Sequence, residues 1–549
     1  MKKTYCQTVF RVFVVIAILF TEIASLSAQT NYYFYVQFAN KKDTPYSLSN
    51  PTAFLSQRAI DRRATFKIPC DSADLPVNPT YISQIKNLGI QVHNTSKWMN
   101  SATLYLSDSS KMSQVRALSF VKFVEYTGKQ VGAVLAPQQR VKEQIALDYG
   151  IANTQITQLN GKVLHNLGYL GKGIQIGVID AGFTNVNTNP VFDSLRLQGR
   201  LLGTKDIINP SSNIYAEDAH GANVLSIITG NLSGQFLGTA PQASFWLIRT
   251  EYSPTEYKVE TDFWCSGIEF ADSVGIDLVT SSLGYYTFDD ATMGFTYADM
   301  TGKVSRASRA ATIASKKGIV VLVAAGNEGT NTWHYIGSPA DADGIFAVGA
   351  VTSSGIASSF TSFGPTYDGR IKPEICAMGT STAIVNTAGT PTTGNGTSYA
   401  TPVMAGMMAC LLQRYKATDQ NPTINNLLQS VIKSGSLYGN PTAQMGNGIP
   451  DFAVAINNLS ALNGLHNVAA NSFIVAYNTT SHNLIVRFSD NSNLNNSTLK
   501  IYSVTGQNIY DQPITNYSTE IKSDKLVPGI YFVAVTINSK TETQKFIVY

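Results

Sequence analysis

The chain has 549 residues, too many for one ordinary hydrophobic core, so several domains are expected. Hydrophobic residues make up 44% and charged residues 14%, a balance that suits globular domains and excludes long disordered tracts. The net charge of +4 is small for this length and points to neither nucleic acid nor an anionic membrane.

At the start, Lys2 and Lys3 precede an apolar run from Val12 to Phe20, followed by small and polar residues through Ser27-Ala28-Gln29. This reads as a secretory signal peptide over residues 1–28, although Leu26 is bulky where a small residue is usual. The run is shorter than the roughly 20 residues that span a bilayer, and no later stretch is long and apolar enough for a transmembrane helix. No membrane span is therefore expected. Of the five cysteines, Cys6 leaves with the signal. Cys70, Cys265, Cys376 and Cys410 lack metal-ligand spacing and read as small buried hydrophobes.

Residues 29–127 open with an alternating aromatic run, Tyr32 to Phe38, which predicts a strand. Helices are expected at Ala53 to Arg63, Tyr81 to Leu88 and Ser110 to Leu118. Strands are expected at Ile90 to His93, Ala102 to Leu106 and Val121 to Glu125. The mixture implies a small α+β module, followed by a polar linker over residues 128–148. Residues 149–462 carry short, continuous apolar runs such as Ile174 to Ile179, Ile276 to Val279 and Ile319 to Val323. Helical patterns lie between them, so an α/β fold with a parallel sheet buried on both faces is predicted. Residues 467–549 change to short alternating strands rich in Asn, Ser and Thr, with turns at Thr505-Gly506 and Pro528-Gly529. That texture predicts a small all-β sandwich.

Open parallel sheets bind ligands beyond the carboxyl ends of their strands. Three predicted strands end in Asp180-Ala181-Gly182, Ser281-Ser282-Leu283-Gly284 and Ala324-Ala325-Gly326-Asn327. His220-Gly221 and Gly396-Thr397-Ser398 each open a helical pattern. A serine hydroxyl needs a base to become a nucleophile, and a histidine titrates in the right range to be one. An aspartate can orient that histidine, and an asparagine amide can donate to the oxyanion that forms. Asp180, His220 and Ser398 are thus the candidate catalytic residues and Asn327 the candidate oxyanion donor. The backbone of Ser282, Leu283, Gly284, Ala324, Ala325 and Gly326 is the candidate substrate-binding edge. The remaining histidines (His93, His165, His334, His466 and His482) lack a motif and read as packing or surface residues.

Val178-Ile179-Asp180-Ala181-Gly182, His220-Gly221, Ala324 to Gly329 and Asn395 to Pro402 resemble the four signature blocks of the subtilisin-like proteases, in that family's order. Gly238-Thr239-Ala240-Pro241 and the stretch Phe360 to Glu374 extend the resemblance across nearly all of residues 149–462. It implies a serine endopeptidase acting through an acyl-enzyme on Ser398. Two departures stand out: Asn223 replaces the family's second histidine, and Ala377-Met378-Gly379 replaces its Ala-Pro-Gly. They leave room for an alternative, a catalytically silent surface-binding protein with the same fold. Residues 29–127 resemble the family's inhibitory propeptides, which implies removal by a cut between Thr127 and Asp148. Leu499 to Gly506, Leu526 to Val533 and Lys545 to Tyr549 resemble the sorting domains of type nine secretion cargo. The partners implied are protein or peptide substrates, the chain's own propeptide and the export machinery. No cofactor is expected. Calcium commonly stabilises this family, but no acidic loop matches a calcium site.

Overall fold

The structure is a computed structural model that describes residues 30–130, 147–419, 422–463, 473–478, 483–488, 497–516, 518–522, 526–527, 529–537 and 540–548. The signal segment, most of the expected linker, His466, His482, Pro528 and Tyr549 lie outside the described residues. Two compact units divide the chain near residue 462.

The first unit begins with a four-stranded antiparallel sheet of β1 (Asn31–Phe38), β2 (Gln91–Ser96), β3 (Ser101–Leu106) and β4 (Val121–Gln130), in the order β2-β3-β1-β4. The first expected helix starts late, as α1 (Gln57–Thr65), because the Ser56 side chain accepts a hydrogen bond from the Ala59 N–H and sets the cap there. The second, α2 (Pro79–Asn87), starts where Asn78 caps it and Pro79 fits the first turn. The third shrinks to Met112–Arg116 behind a 3-10 turn. Strand β4 outruns its expected end: Gly128, Lys129 and Gln130 pair with Tyr33, Tyr32 and Asn31. Gly128 adopts φ +148, which lets the strand continue past a register shift, so residues 128–130 belong to the sheet and not to the linker.

The same unit then builds a seven-stranded parallel sheet from β5 (Gln175–Asp180), β6 (Leu201–Asp206), β7 (Ser244–Arg249), β8 (Leu278–Ser281), β9 (Val320–Ala324), β10 (Phe346–Val351) and β11 (Ile375–Met378). Its order is β11-β10-β9-β8-β5-β7-β6. Successive residues of β9 go to opposite sides: Val320 and Leu322 join one core, Val321 and Val323 the other. Both faces are therefore buried, which is why these strands read as unbroken apolar runs. One face is covered by α3 (His220–Thr229) and by α6 (Thr397–Thr418). The opposite face is covered by α4 (Val259–Val274) and α5 (Arg306–Lys316). The expected α/β class holds.

The N-terminal module docks on α4 and α5. Tyr33, Tyr35, Trp98 and Met99 contribute to the core that lies beneath those helices. Polar contacts close the seam: Glu269 accepts from Ser96 Oγ (2.5 Å) and from the N–H groups of Lys97 (2.8 Å) and Trp98 (3.1 Å). Glu125 pairs with Arg306 (2.7 Å) and Lys258 (2.9 Å). Cys265, Cys376 and Cys410 are buried and free, as expected of small hydrophobes, whereas Cys70 is free but only partly buried. No helix among the described residues is long and apolar enough to cross a membrane.

The second unit is all-β. Strands β12 (Phe473–Asn478), β13 (Asn483–Phe488) and β16 (Ser518–Lys522) form one antiparallel sheet, in the order β12-β13-β16. Strands β14 (Thr498–Ser503), β15 (Asn508–Pro513), β17 (Gly529–Ile537) and β18 (Lys540–Val548) form another, in the order β15-β14-β17-β18. Leu484, Val486, Leu499, Ile501 and Val533 are buried together between them.

Candidate active site

Register brings the three strand ends to one level. Ile179 in β5 pairs with Ser281 in β8, and Ser281 pairs with Val323 in β9. Asp180, Ser282 and Ala324 therefore leave the sheet side by side at its carboxyl edge.

Asp180 is fully buried, and its Oδ1 accepts from His220 Nδ1 (2.8 Å) and from the Ala181 N–H (2.8 Å). The turn that holds it is braced by Arg249 at the end of β7. That guanidinium donates to the Ala181 carbonyl (2.8 Å) and pairs with Asp206 (3.0 Å) and Glu217 (3.0 Å). The Thr250 N–H donates to the Asp180 carbonyl (3.1 Å). Gly221 is needed for the approach of α3: a Cβ there would lie 2.4 Å from the Gly182 carbonyl oxygen and 2.9 Å from Asp180 Cβ.

His220 is the first residue of α3, and its N–H donates to Asp218 Oδ1 (2.7 Å). Burial acts to lower the imidazole pKa, but the charge and hydrogen bond of Asp180, with the charges of Asp218 and Glu251, outweigh it and push it up to about 9. The ring lies against Tyr399, centroids 6.0 Å apart.

Ser398 stands in the first turn of α6, after Gly396 in a conformation (φ +146) that glycine tolerates. Pro402, inside α6, has no N–H to offer the carbonyl four residues back, that of Ser398. Ser282 supplies the missing donor: its hydroxyl reaches that carbonyl at 2.9 Å. The Ser398 hydroxyl in turn donates to the Ser282 carbonyl at 3.3 Å. Asp180 and His220 are thus joined by a hydrogen bond, whereas Ser398 Oγ is directed to Ser282 and must turn about its Cα–Cβ bond to face the imidazole.

Asn327 is exposed beside this turn. Its Oδ1 accepts from the Thr397 N–H (2.8 Å) and hydroxyl (3.0 Å), which leaves the amide nitrogen free to donate. Ser282, Leu283, Ala324 and Ala325 are buried by their side chains, and Gly284 is exposed. Tyr285, just beyond, is fixed by paired backbone bonds with Ser338 (2.7 and 3.0 Å).

Three residues that shape the site carried no sequence motif: Arg249, Asp218 and Glu251. Glu251 accepts from the Tyr285 hydroxyl (3.3 Å), and burial and then the Asp180 charge raise its carboxyl to about 7. Carboxylate oxygens of Glu251, Glu256 and Glu260 lie within 4.8 Å of one another, where no metal site was expected.

Compared with known protein families, residues 33–144 match "Peptidase S8 propeptide domain, Bacteroidota", residues 171–448 match "Subtilase family", and residues 478–549 match "Secretion system C-terminal sorting domain". Subtilisin from Bacillus pumilus is 31% identical over 291 residues, covering 52% of this chain and 94% of that protein. Subtilisin NAT from Bacillus subtilis subsp. natto is 29% identical over 351 residues, covering 63% of this chain and 79% of that protein. The sorting domain directs secretion to the outer surface or beyond. With the subtilase match spanning half of the sequence, the chain belongs to the subtilase family and is a secreted serine endopeptidase.

Proposed function

We propose that Ser398 is the nucleophile, His220 its general base, Asp180 the group that orients and charges the base, and Asn327 a donor to the oxyanion. The observation that carries this reading is the 2.8 Å bond from His220 to buried Asp180, formed at the sheet edge where Ser398 begins its helix. Ser398 Oγ turns from Ser282, passes its proton to His220 Nε2 and bonds to the scissile carbonyl carbon. The oxyanion is met by the Asn327 amide and the Ser398 N–H. The C–N bond breaks as His220 returns the proton to the leaving amine, and water, deprotonated by the same imidazole, hydrolyses the ester. A peptide lies as an added strand along Ser282–Gly284 and Ala324–Gly326. The small side chains of Ser282, Ala324 and Ala325, with the two glycines, leave room for a large apolar residue before the cut bond.

Around this centre, residues 1–28 act as the signal and residues 29–127 as the propeptide. The segment that follows β4, up to Asp148, contains the cut, residues 149–462 form the catalytic domain, and residues 467–549 engage the export machinery. Calcium, which subtilases commonly bind, is not asked to take part in the chemistry.

The test is turnover of casein by the processed protein with and without a serine-directed fluorophosphonate, alongside Ser398→Ala. Labelling at Ser398 with loss of activity, and a variant lower by about 10⁶ as in subtilisin itself, are expected. A fully active variant refutes the assignment.

A further inference from the structure

Glu251 follows the end of β7, Glu256 lies in the loop beyond it, and Glu260 stands in the first turn of α4. One oxygen from each comes within 4.8 Å of the other two. Glu260 is 1% exposed, and its Oε2 has no hydrogen-bond partner among the described residues; the same is true of Glu256 Oε1. Asp289 adds a fourth carboxylate, taking the Glu256 N–H at 3.3 Å. No Lys, Arg or His pairs with any of the three among the described residues. Lys258, their neighbour in sequence, gives its ammonium to Glu125 instead (2.9 Å). Two carboxylate oxygens are thus buried and unpartnered beside a third acid.

We infer that Glu251, Glu256 and Glu260 form a binding site for one calcium ion. Oxygens bound to one calcium at about 2.3–2.6 Å are at most about 5.2 Å apart, a spread that the three carboxylates already satisfy. Glu260 is buried, while Glu251 and Glu256 are partly exposed, so the cluster reaches from the interior to solvent. The ion would fasten the loop between β7 and α4, which joins the cleft wall at Tyr285 to the helix that carries the propeptide.

Full-length Ser398→Ala protein, stripped with EGTA, is titrated with calcium by calorimetry and melted with and without the ion, beside the same protein carrying Glu256→Gln and Glu260→Gln. The parent should bind one more calcium per chain than the double variant. At calcium a hundred times the dissociation constant, its folding equilibrium should shift about a hundredfold, a shift that the double variant lacks. In EGTA the double variant should melt no lower than the parent, because like charges have been removed. Glu251→Gln, at the partly exposed rim, should weaken the same binding at least tenfold and serves if the double variant does not fold. Equal stoichiometry and equal calcium-dependent shifts in parent and variants overturn the site. So does a processed Glu251→Gln enzyme that binds calcium as before but cleaves lysine-containing peptides more slowly, which would give the pocket to substrate. The calcium titration and the melt do not depend on the chemistry at Ser398.

Discussion

Asp272 in α4 offers a sharp test of how the propeptide is held. Its carboxylate is wholly buried and accepts from Arg62 (2.6 Å), twice from Arg63 (2.8 and 2.9 Å) and from Lys97 (2.8 Å), all of them propeptide residues. Burial alone would raise its pKa, but the three cations hold it far below the ordinary carboxylate range. Asp272→Asn leaves those cations facing a neutral amide in a dry interface. Removing one partner of a buried ion pair costs about 3–5 kcal/mol, which is roughly a 10²- to 10⁴-fold loss of affinity. In the processed enzyme the same side chain has lost these partners, so turnover should be untouched. The assay is slow-binding inhibition of processed enzyme, with either residue at 272, by propeptide added in trans. An inhibition constant that rises less than about threefold, or a fall in kcat/KM of the variant, refutes the reasoning. The linkage has a sign as well: a depressed carboxylate contributes above its unfolded value of about 3.9 and is lost as pH falls through the lower folded one. Mild acid therefore should not release the propeptide through Asp272.

As the proposed general base, His220 must be neutral to accept a proton, and its neighbours raise it to about 9, so kcat/KM should climb with pH along an acid limb placed above pH 6.5. Asp218→Asn keeps the cap on His220 but removes one raising charge, so the limb should move to lower pH; a pH–rate profile that stays put or moves upward contradicts this. Asn327→Ala should lower kcat by about 10²–10³ with little change in KM, a magnitude measured in subtilisin and carried over here; steady-state kinetics with less than a fivefold loss would remove Asn327 from the oxyanion. Gly221→Ala places a Cβ against Gly182 and Asp180 and should cost about 1–3 kcal/mol of stability as well as turnover, read as a fall in Tm and kcat together.

The proposed catalytic residues were legible in the sequence because each sits where a strand ends or a helix begins, and such junctions leave local marks. Asp180 closes an apolar run, and His220 and Ser398 open helices beside glycines. Residues that act across the fold left no such mark. Glu251, Glu256 and Glu260 are spaced as no metal-binding motif is, and only the turn from β7 into α4 gathers them. Asp272 gives no hint of partners some 200 positions away. Local rules also moved boundaries: Ser56 delays α1 by its cap, and Gly128 carries β4 past the point where its alternation stops.

Pro402 has a reach beyond its own helix. By withholding one donor it hands the Ser398 carbonyl to Ser282, so the proposed nucleophile and the proposed peptide ledge are tied by a hydrogen bond. A displacement of that ledge would be felt at the backbone of Ser398, while its hydroxyl keeps its freedom to turn.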